Sequence, residues 1–407
     1  MSITVARPYP HPLHRVVAVA GSSLLLAVLM LLASCGGGVG TGGTGSFSSA
    51  GSYSVAPVSG FGSIIVGGIE FDDAHAAFLD DDGAALAGGS PAIRLGMVVE
   101  VQGGDVTPGA LGPAAVASSV QLARLVVGTV ASVDNAAGTL TVLGQTLQTN
   151  GSTVFDPAIK RGLADMRAGD TVSAHALANR AGNAVATRIE PANAAETWRL
   201  RGFATAVDAQ ARRFIVGAAT LDYAGATNVP TGLAAGQLVH VKLARDGPAG
   251  VLRVASFVPA TAAPGNVGSA TTEGVLTTPI NSNLFRVGAL DIDVRSATVL
   301  PVSTVLVPGL QVLVQGRLED GTLLADTVTV TSSDVNEQRT YQLAGGVSGL
   351  DRAGQTFEVR GVTVDYSTAR FVKGSAETLA APGASVHVQG TLSADRTALQ
   401  ARQVSFP

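Results

Sequence analysis

The chain is poor in cysteine, in aromatic rings and in charge. One cysteine among 407 residues excludes an internal disulfide framework and a multi-thiolate zinc site. Charged residues make up 14%, and 26 Lys and Arg face 30 Asp and Glu, for a formal net charge of −4. No nucleic-acid partner is expected, because neutralising phosphates needs clustered cations. At 4% aromatic content, a stacking platform for bases or sugars is also disfavoured. A sustained 3.6-residue period with caps is missing as well, which excludes long helices. What remains is 46% hydrophobic residues, enough for packed cores, and 50 glycines. The length allows two to three ordinary domains or a larger number of small ones.

The N-terminal segment has its own character. Arg7 and Arg15 precede an apolar run from Val16 to Ala33, broken only by Gly21, Ser22 and Ser23. A basic start followed by such a run reads as a secretory signal, although its length would also suit a membrane span. Leu32-Ala33-Ser34-Cys35 follows at once, and no charged residue comes after it until Glu70. This segment resembles the signal of bacterial lipoproteins. The resemblance implies cleavage before Cys35, acylation of its thiol with groups such as palmitate, and export. Gly36 stands where an aspartate would retain such a protein at the inner membrane. The resemblance therefore implies the outer membrane, on its periplasmic or surface face. Each buried methylene contributes ~0.8 kcal/mol, and two or more acyl chains hold a protein stably on a bilayer. Gly36 to Ser46 and the Gly and Ser that follow have almost no side chains to bury. They read as a flexible tether reaching roughly 20–25 Å.

Beyond the tether the chain repeats itself. A glycine opening a strand recurs as Gly60, Gly128, Gly202, Gly274 and Gly345, at spacings of 68, 74, 72 and 71. A second glycine, followed by alternating apolar residues, recurs as Gly96, Gly169, Gly236, Gly309 and Gly383. A closing strand ends near Val120, Ile189, Val258, Val328 and Val404. Each unit of about 70 residues carries five strands, with at most one helical turn between the third and fourth; in the second unit that turn is Leu163–Met166. Tight hairpin turns are expected at Gly144-Gln145 and Arg360-Gly361. The fold class is therefore all-β: five tandem small barrels of OB type, with small β-sandwiches as the alternative. The expected segments are 1–34 (signal peptide), 35–56 (lipidated Cys and tether), then β-domains at 57–122, 123–192, 197–259, 270–332 and 339–407, with linkers at 191–197, 259–272 and 332–339. The run from Gly60 to Phe71 and the strand Leu95–Val101 resemble the bacterial domain of unknown function 5666, which occurs in tandem in exported lipoproteins. Later copies of Gly-x-Val-x-Val extend the resemblance, with the first unit expected to match best. The resemblance implies architecture and export and names no activity.

The search for chemistry yields little. His240 and His387 sit four residues after the second glycine, where other units have Glu100, Ser173 and Leu313. A two-residue period turns the flanking valines inward and these variable positions outward, so the histidines are expected at the surface of separate units. The first unit is acidic, with eight carboxylates against Arg94. Asp80, Asp81 and Asp82 could offer oxygens to calcium, but they lack the alternate spacing of an EF-hand and read first as a solvated Asp-Gly turn. Arg199, Arg201, Arg212 and Arg213 read as solvated strand ends. Trp198 and Tyr223 form a weak candidate patch for a glycan. No catalytic residue, metal or cofactor is expected. The reading is a non-enzymatic envelope module, serving as spacer, scaffold or adhesion body on a lipid anchor. Its partners would be the membrane and an envelope protein or polysaccharide. A glycan-binding lipoprotein is the alternative.

Overall fold

The computed structural model describes residues 51–109, 112–178, 184–245, 250–259, 263–277, 279–332 and 338–407. The expected signal peptide, Cys35 and residues 36–50 of the expected tether lie outside the described residues. Residues Ser48–Pro407 form one compact unit.

One circuit of strand pairing occurs five times. In the first barrel the strands are Ser52–Phe61, Ile64–Val66, Ile69–Asp72, Val98–Gly103 and Pro113–Leu122. The first three pair antiparallel in sequence, the third lies parallel to the fifth, and the fourth closes the ring between fifth and first. That order, 1-2-3-5-4-1, is the OB circuit, and its closure separates it from a sandwich. Val126–Asp134 opens the second barrel and Ala184–Pro191 ends it, with the same pairings. The third runs from Trp198–Phe203 to Val251–Phe257 and the fifth from Tyr341–Gly346 to Leu399–Ser405. The fourth, from Val267–Val275 to Thr322–Ser332, closes through the bridge Leu276↔Val287. Helical structure among the described residues is limited to 3-10 turns at Ser90–Ala92, Gly162–Asp165 and Ala376–Ala380. Each falls between the third and fourth strand of its barrel.

The inward alternation holds. Val99, Val101, Val172, Ala174, Val239, Val241, Val312, Val314, Val386 and Val388 are all buried. The paired glycine of the repeat faces the first of each valine pair: Gly128↔Val172, Gly202↔Val239, Gly274↔Val312 and Gly345↔Val386. In the first barrel that place belongs to Ala56, opposite Val99, and not to Gly60. The small residue makes room for a side chain from the second strand's hairpin: a Cβ at Gly202 would stand 2.4 Å from Val216. Gly60 has a different use. There the first strand runs beside the fifth barrel (Gly60↔Gln342), and a Cβ would stand 2.4 Å from the Gln342 carbonyl oxygen.

Several boundaries move. The first strand starts at Ser52, inside the segment read as tether. Its small residues resemble linker, yet Ser52 and Ser54 are buried where it lies parallel to Val267–Val275, and Ser54 Oγ is 2.6 Å from Thr271 Oγ1. Val267 likewise starts the fourth barrel inside the expected linker 259–272. The second barrel's hairpin turn is Leu143-Gly144, one residue earlier than expected, with φ of 46° and 75° as a two-residue type I′ turn requires.

The barrels are not beads. The first pairs with the fourth and fifth, and the second with the third through Arg199↔Val127 and Leu200↔Val126. One hydrophobic core joins barrels one and five, and another joins two and three. Tyr53 of barrel one is inserted in the core of barrel four. The outward faces of short barrels are half apolar, and mutual packing removes them from water.

Candidate functional site

The polar residues of interest gather where barrels meet. Outward positions on one barrel are covered by its neighbours, so groups expected at the surface are buried. Glu100, at the position shared with His240 and His387, is 8% exposed. It accepts from the Arg201 guanidinium of barrel three, and the Tyr53 hydroxyl donates to its other oxygen at 3.4 Å. Burial first, and the carboxylate of Glu100 second, push the Tyr53 phenol well above its usual range. Burial works against the charge on Arg201, but Glu100 outweighs it and raises the pKa.

The Asp80–Asp82 stretch is a turn whose carboxylates are already used. Asp80 Oδ1 accepts the backbone N–H groups of Asp82 and Ala84. Asp81 accepts from the backbone N–H and the Nε of Arg124, at 2.8 and 2.5 Å. Arg124 also donates to Glu196 at 2.8 Å. Asp82 pairs with Arg199 and, at 2.8 Å, with Lys242. Burial opposes ionisation of Asp81 and Asp82, yet these cations hold both carboxyls below the ordinary range. The tip of the turn at Gly83 and Ala84 is exposed, as expected, but Asp81 and Asp82 are matched by cations of the protein itself. Among the described residues no group of three or more His, Cys, Asp or Glu is placed to hold a metal. Arg199 and Arg201, read from sequence as solvated, are the basic complement of the acidic first barrel.

Two further knots lie beside these. Glu273, just before the paired glycine of barrel four, holds Arg339 through both guanidinium Nη atoms, and the Arg339 pKa is raised by Glu273 despite burial. Arg188, 4% exposed, donates to Glu190 at 2.7 Å, to Asp156 at 3.2 Å and to the Leu95 carbonyl at 3.2 Å. Tyr341 donates to the Ser152 carbonyl at 2.8 Å, and burial raises its phenol to about 12.

Burial also reaches the histidines, His240 and His387 of the surface expectation among them. His175 is fully buried: its Nδ1 accepts the Val98 N–H at 3.1 Å, and its Nε2 has no partner among the described residues. Burial lowers its pKa to about 3, with Asp81 opposing and Arg124 and Arg188 adding to the shift. Half-buried His240 is lowered to about 4, again mainly by burial. His387 is half-buried. Period two placed His240 and His387 outside their own barrels but could not show that residues of other barrels surround His240.

Trp198 and Tyr223 do not make a common surface. Tyr223 lies in the core of barrel three, 6.2 Å from Phe257 and 5.8 Å from Phe214 between ring centroids. Trp198 is half-buried, with the Arg245 guanidinium 5.1 Å from its ring centroid. It borders a recess of about 400 Å³ with Gly144, Thr220 and Val251, and its Nε1 has no partner among the described residues. A second cavity, of about 270 Å³, lies among barrels one to four and is bordered by Tyr53, Glu100, Arg201, His240 and Glu273. No sequence signal marks it, because its lining comes from four repeats.

The circuit repeated along the chain defines a class: a protein built of tandem five-stranded barrels of OB type. Within that class, residues 127–190, 273–329 and 344–405 match the family described as Domain of unknown function (DUF5666). Those segments are barrels two, four and five, so the expectation that the first unit matches best is corrected. Its glycine at position 60 serves contact with barrel five, not the place the repeat uses. No curated protein matches the sequence. Among solved structures, one titled drosophila Unr CSD456 is similar over 52% of this chain and 98% of its own, at 11% identity and a TM-score of 0.15. The barrel class rests on the strand pairing itself.

Proposed function

We propose that the chain is a non-enzymatic module of the bacterial envelope, held on the outer membrane by acylated Cys35 and acting as a scaffold or adhesion body. The observation that carries the reading is the use made of the ionisable groups. Glu100–Arg201, Asp81–Arg124, Asp82–Arg199 and Glu273–Arg339 join one barrel, or its flanking segment, to another. Such pairs specify how repeats fit together, whereas catalysis needs groups held ready for a substrate. Exposed apolar side chains support a role in contacting partners. Val302 and Val305 of barrel four are 77% and 75% exposed in the charge-free stretch 296–309. Apolar surface of that kind is a feature of interaction sites.

Metabolic palmitate labelling with membrane fractionation tests the anchor. Wild type is expected to label and to partition with the outer membrane, and Cys35→Ala to do neither. Equal labelling of the two would overturn the anchor. The polysaccharide reading keeps one specific support, the recess bordered by Trp198, whose buried indole N–H has no partner among the described residues. Retention on immobilised envelope polysaccharide that disappears in Trp198→Ala would favour it over a purely structural role.

A further inference from the structure

The cavity among barrels one to four has the character of a ligand site. Its walls are mainly apolar, with Val98, Leu125, Leu177, Phe203, Leu238 and Leu290 among them. Sites for small molecules are concave and mostly apolar, with a few placed polar groups that fix orientation. A void of ~150 Å³ lined by apolar side chains accepts benzene. At about 270 Å³ this one is large enough for two fused rings. Ala289, in the hairpin Gly288-Ala289, and Pro259 both border the cavity and are exposed.

Its polar side selects the chemistry. The bordering charges are already matched: Glu100 by Arg201, Asp81 by Arg124 and Glu273 by Arg339. A charged ligand would enter with no counter-ion and lose its hydration. His240 is different. It borders the cavity, and neither ring nitrogen has a hydrogen-bond partner among the described residues. A neutral imidazole offers one donor and one acceptor. We propose that this cavity binds a small, neutral, largely apolar molecule with one hydroxyl or carbonyl group, which bonds to the imidazole of His240. The site exists only when the four barrels are assembled, so the scaffold doubles as a carrier. This goes beyond the envelope reading and does not depend on the lipid anchor.

Calorimetric titration of the chain beginning at Gly36, which keeps the whole compact unit, tests it. The probes are 2-naphthol, naphthalene and 2-naphthalenesulfonate: one ring shape with a hydroxyl, with nothing and with a charge. 2-Naphthol is expected to bind one to one in the micromolar range, and the sulfonate at least about tenfold more weakly. Ala289→Trp, at an exposed position that borders the cavity, is expected to fill part of it and abolish binding without lowering the melting temperature. His240→Leu is expected to weaken 2-naphthol about fivefold or more and to leave naphthalene unchanged, a contrast that a structural defect would not give. No binding of 2-naphthol, equal binding of the sulfonate, or full binding by Ala289→Trp would each overturn the proposal. An equal effect of His240→Leu on both neutral probes would overturn the role of the imidazole.

Discussion

His175 shows what burial does to a single residue here. Its imidazole is enclosed, spends one nitrogen on the Val98 N–H and lies near both Arg124 and Arg188, so it stays neutral down to about pH 3. In the unfolded chain a histidine titrates near ~6.5. Between those values the unfolded state binds a proton that the folded state refuses, so stability rises with pH through the window and is complete above it. His240, lowered to about 4, acts in the same direction. Asp81 and Asp82, held below the ordinary carboxylate range, add stability that is complete above the unfolded value of ~3.9 and is lost at lower pH. The melting temperature is therefore expected to fall steadily from pH 7 to pH 4. His175→Gln keeps an acceptor for Val98 and removes the proton site. It should melt lower than wild type at pH 7.5 but lose distinctly less on acidification, as followed by circular dichroism. A slope unchanged from wild type would show that His175 is not an acid trigger. The sequence displayed His175 as one position in an alternating strand, and nothing in that strand announces the barrel packed against it.

At the scale of elements, the glycines divide by the reason each is needed. Gly128, Gly202 and Gly274 leave room for a side chain within their own barrel. Gly309 takes φ of 96° with open space around its Cα, so its requirement is conformational. Gly60 is a contact between barrels, with no room for a methyl beside the Gln342 carbonyl. Gly60→Ala is expected to part the first strand from Gln342–Leu343 and to speed amide exchange there. Gly309→Ala should cost about 1–2 kcal/mol and leave exchange at Gln342 unaffected. Equal exchange at Gln342 in both variants would refute the distinction. In sequence Gly60 reads like Gly128, Gly202 and Gly274, as a glycine opening a strand, whereas Gly309 precedes alternating apolar residues. Only the pairing Ala56↔Val99 separates Gly60 from the rest. Strand existence was legible from the two-residue period and turn chemistry. The start at Ser52 was not, because Ser-Tyr-Ser looks like tether until its partner strand is known.

For the whole molecule, the shared cores matter more than the number of repeats. Barrels two and three share one cluster, including Leu143, Leu200, Phe214 and Ile189, and the hairpin of one seats on the other through Gln145 Nε2 to the Val216 carbonyl at 2.8 Å. A segment of about 70 residues buries a smaller share of its surface alone than a larger domain does, and here part of that burial belongs to a neighbour. Residues 123–192 expressed alone are expected to melt at much lower temperature than residues 123–259, which keep the pair. Proton-nitrogen correlation spectra with thermal scans of both fragments check this. Equal stability would mean that the barrels are energetically separate.

The repeat, the all-β class and the inward valines were determined by sequence alone, because strand alternation and turn residues are local and recur every 70 residues or so. Tertiary structure decided which outward residues meet. Glu100 finds Arg201, Asp81 finds Arg124 and Glu273 finds Arg339 across separations of 101, 43 and 66 residues. Those contacts depend on how barrels pack edge to edge, and a period read within one strand carries no information about the neighbour that will cover it.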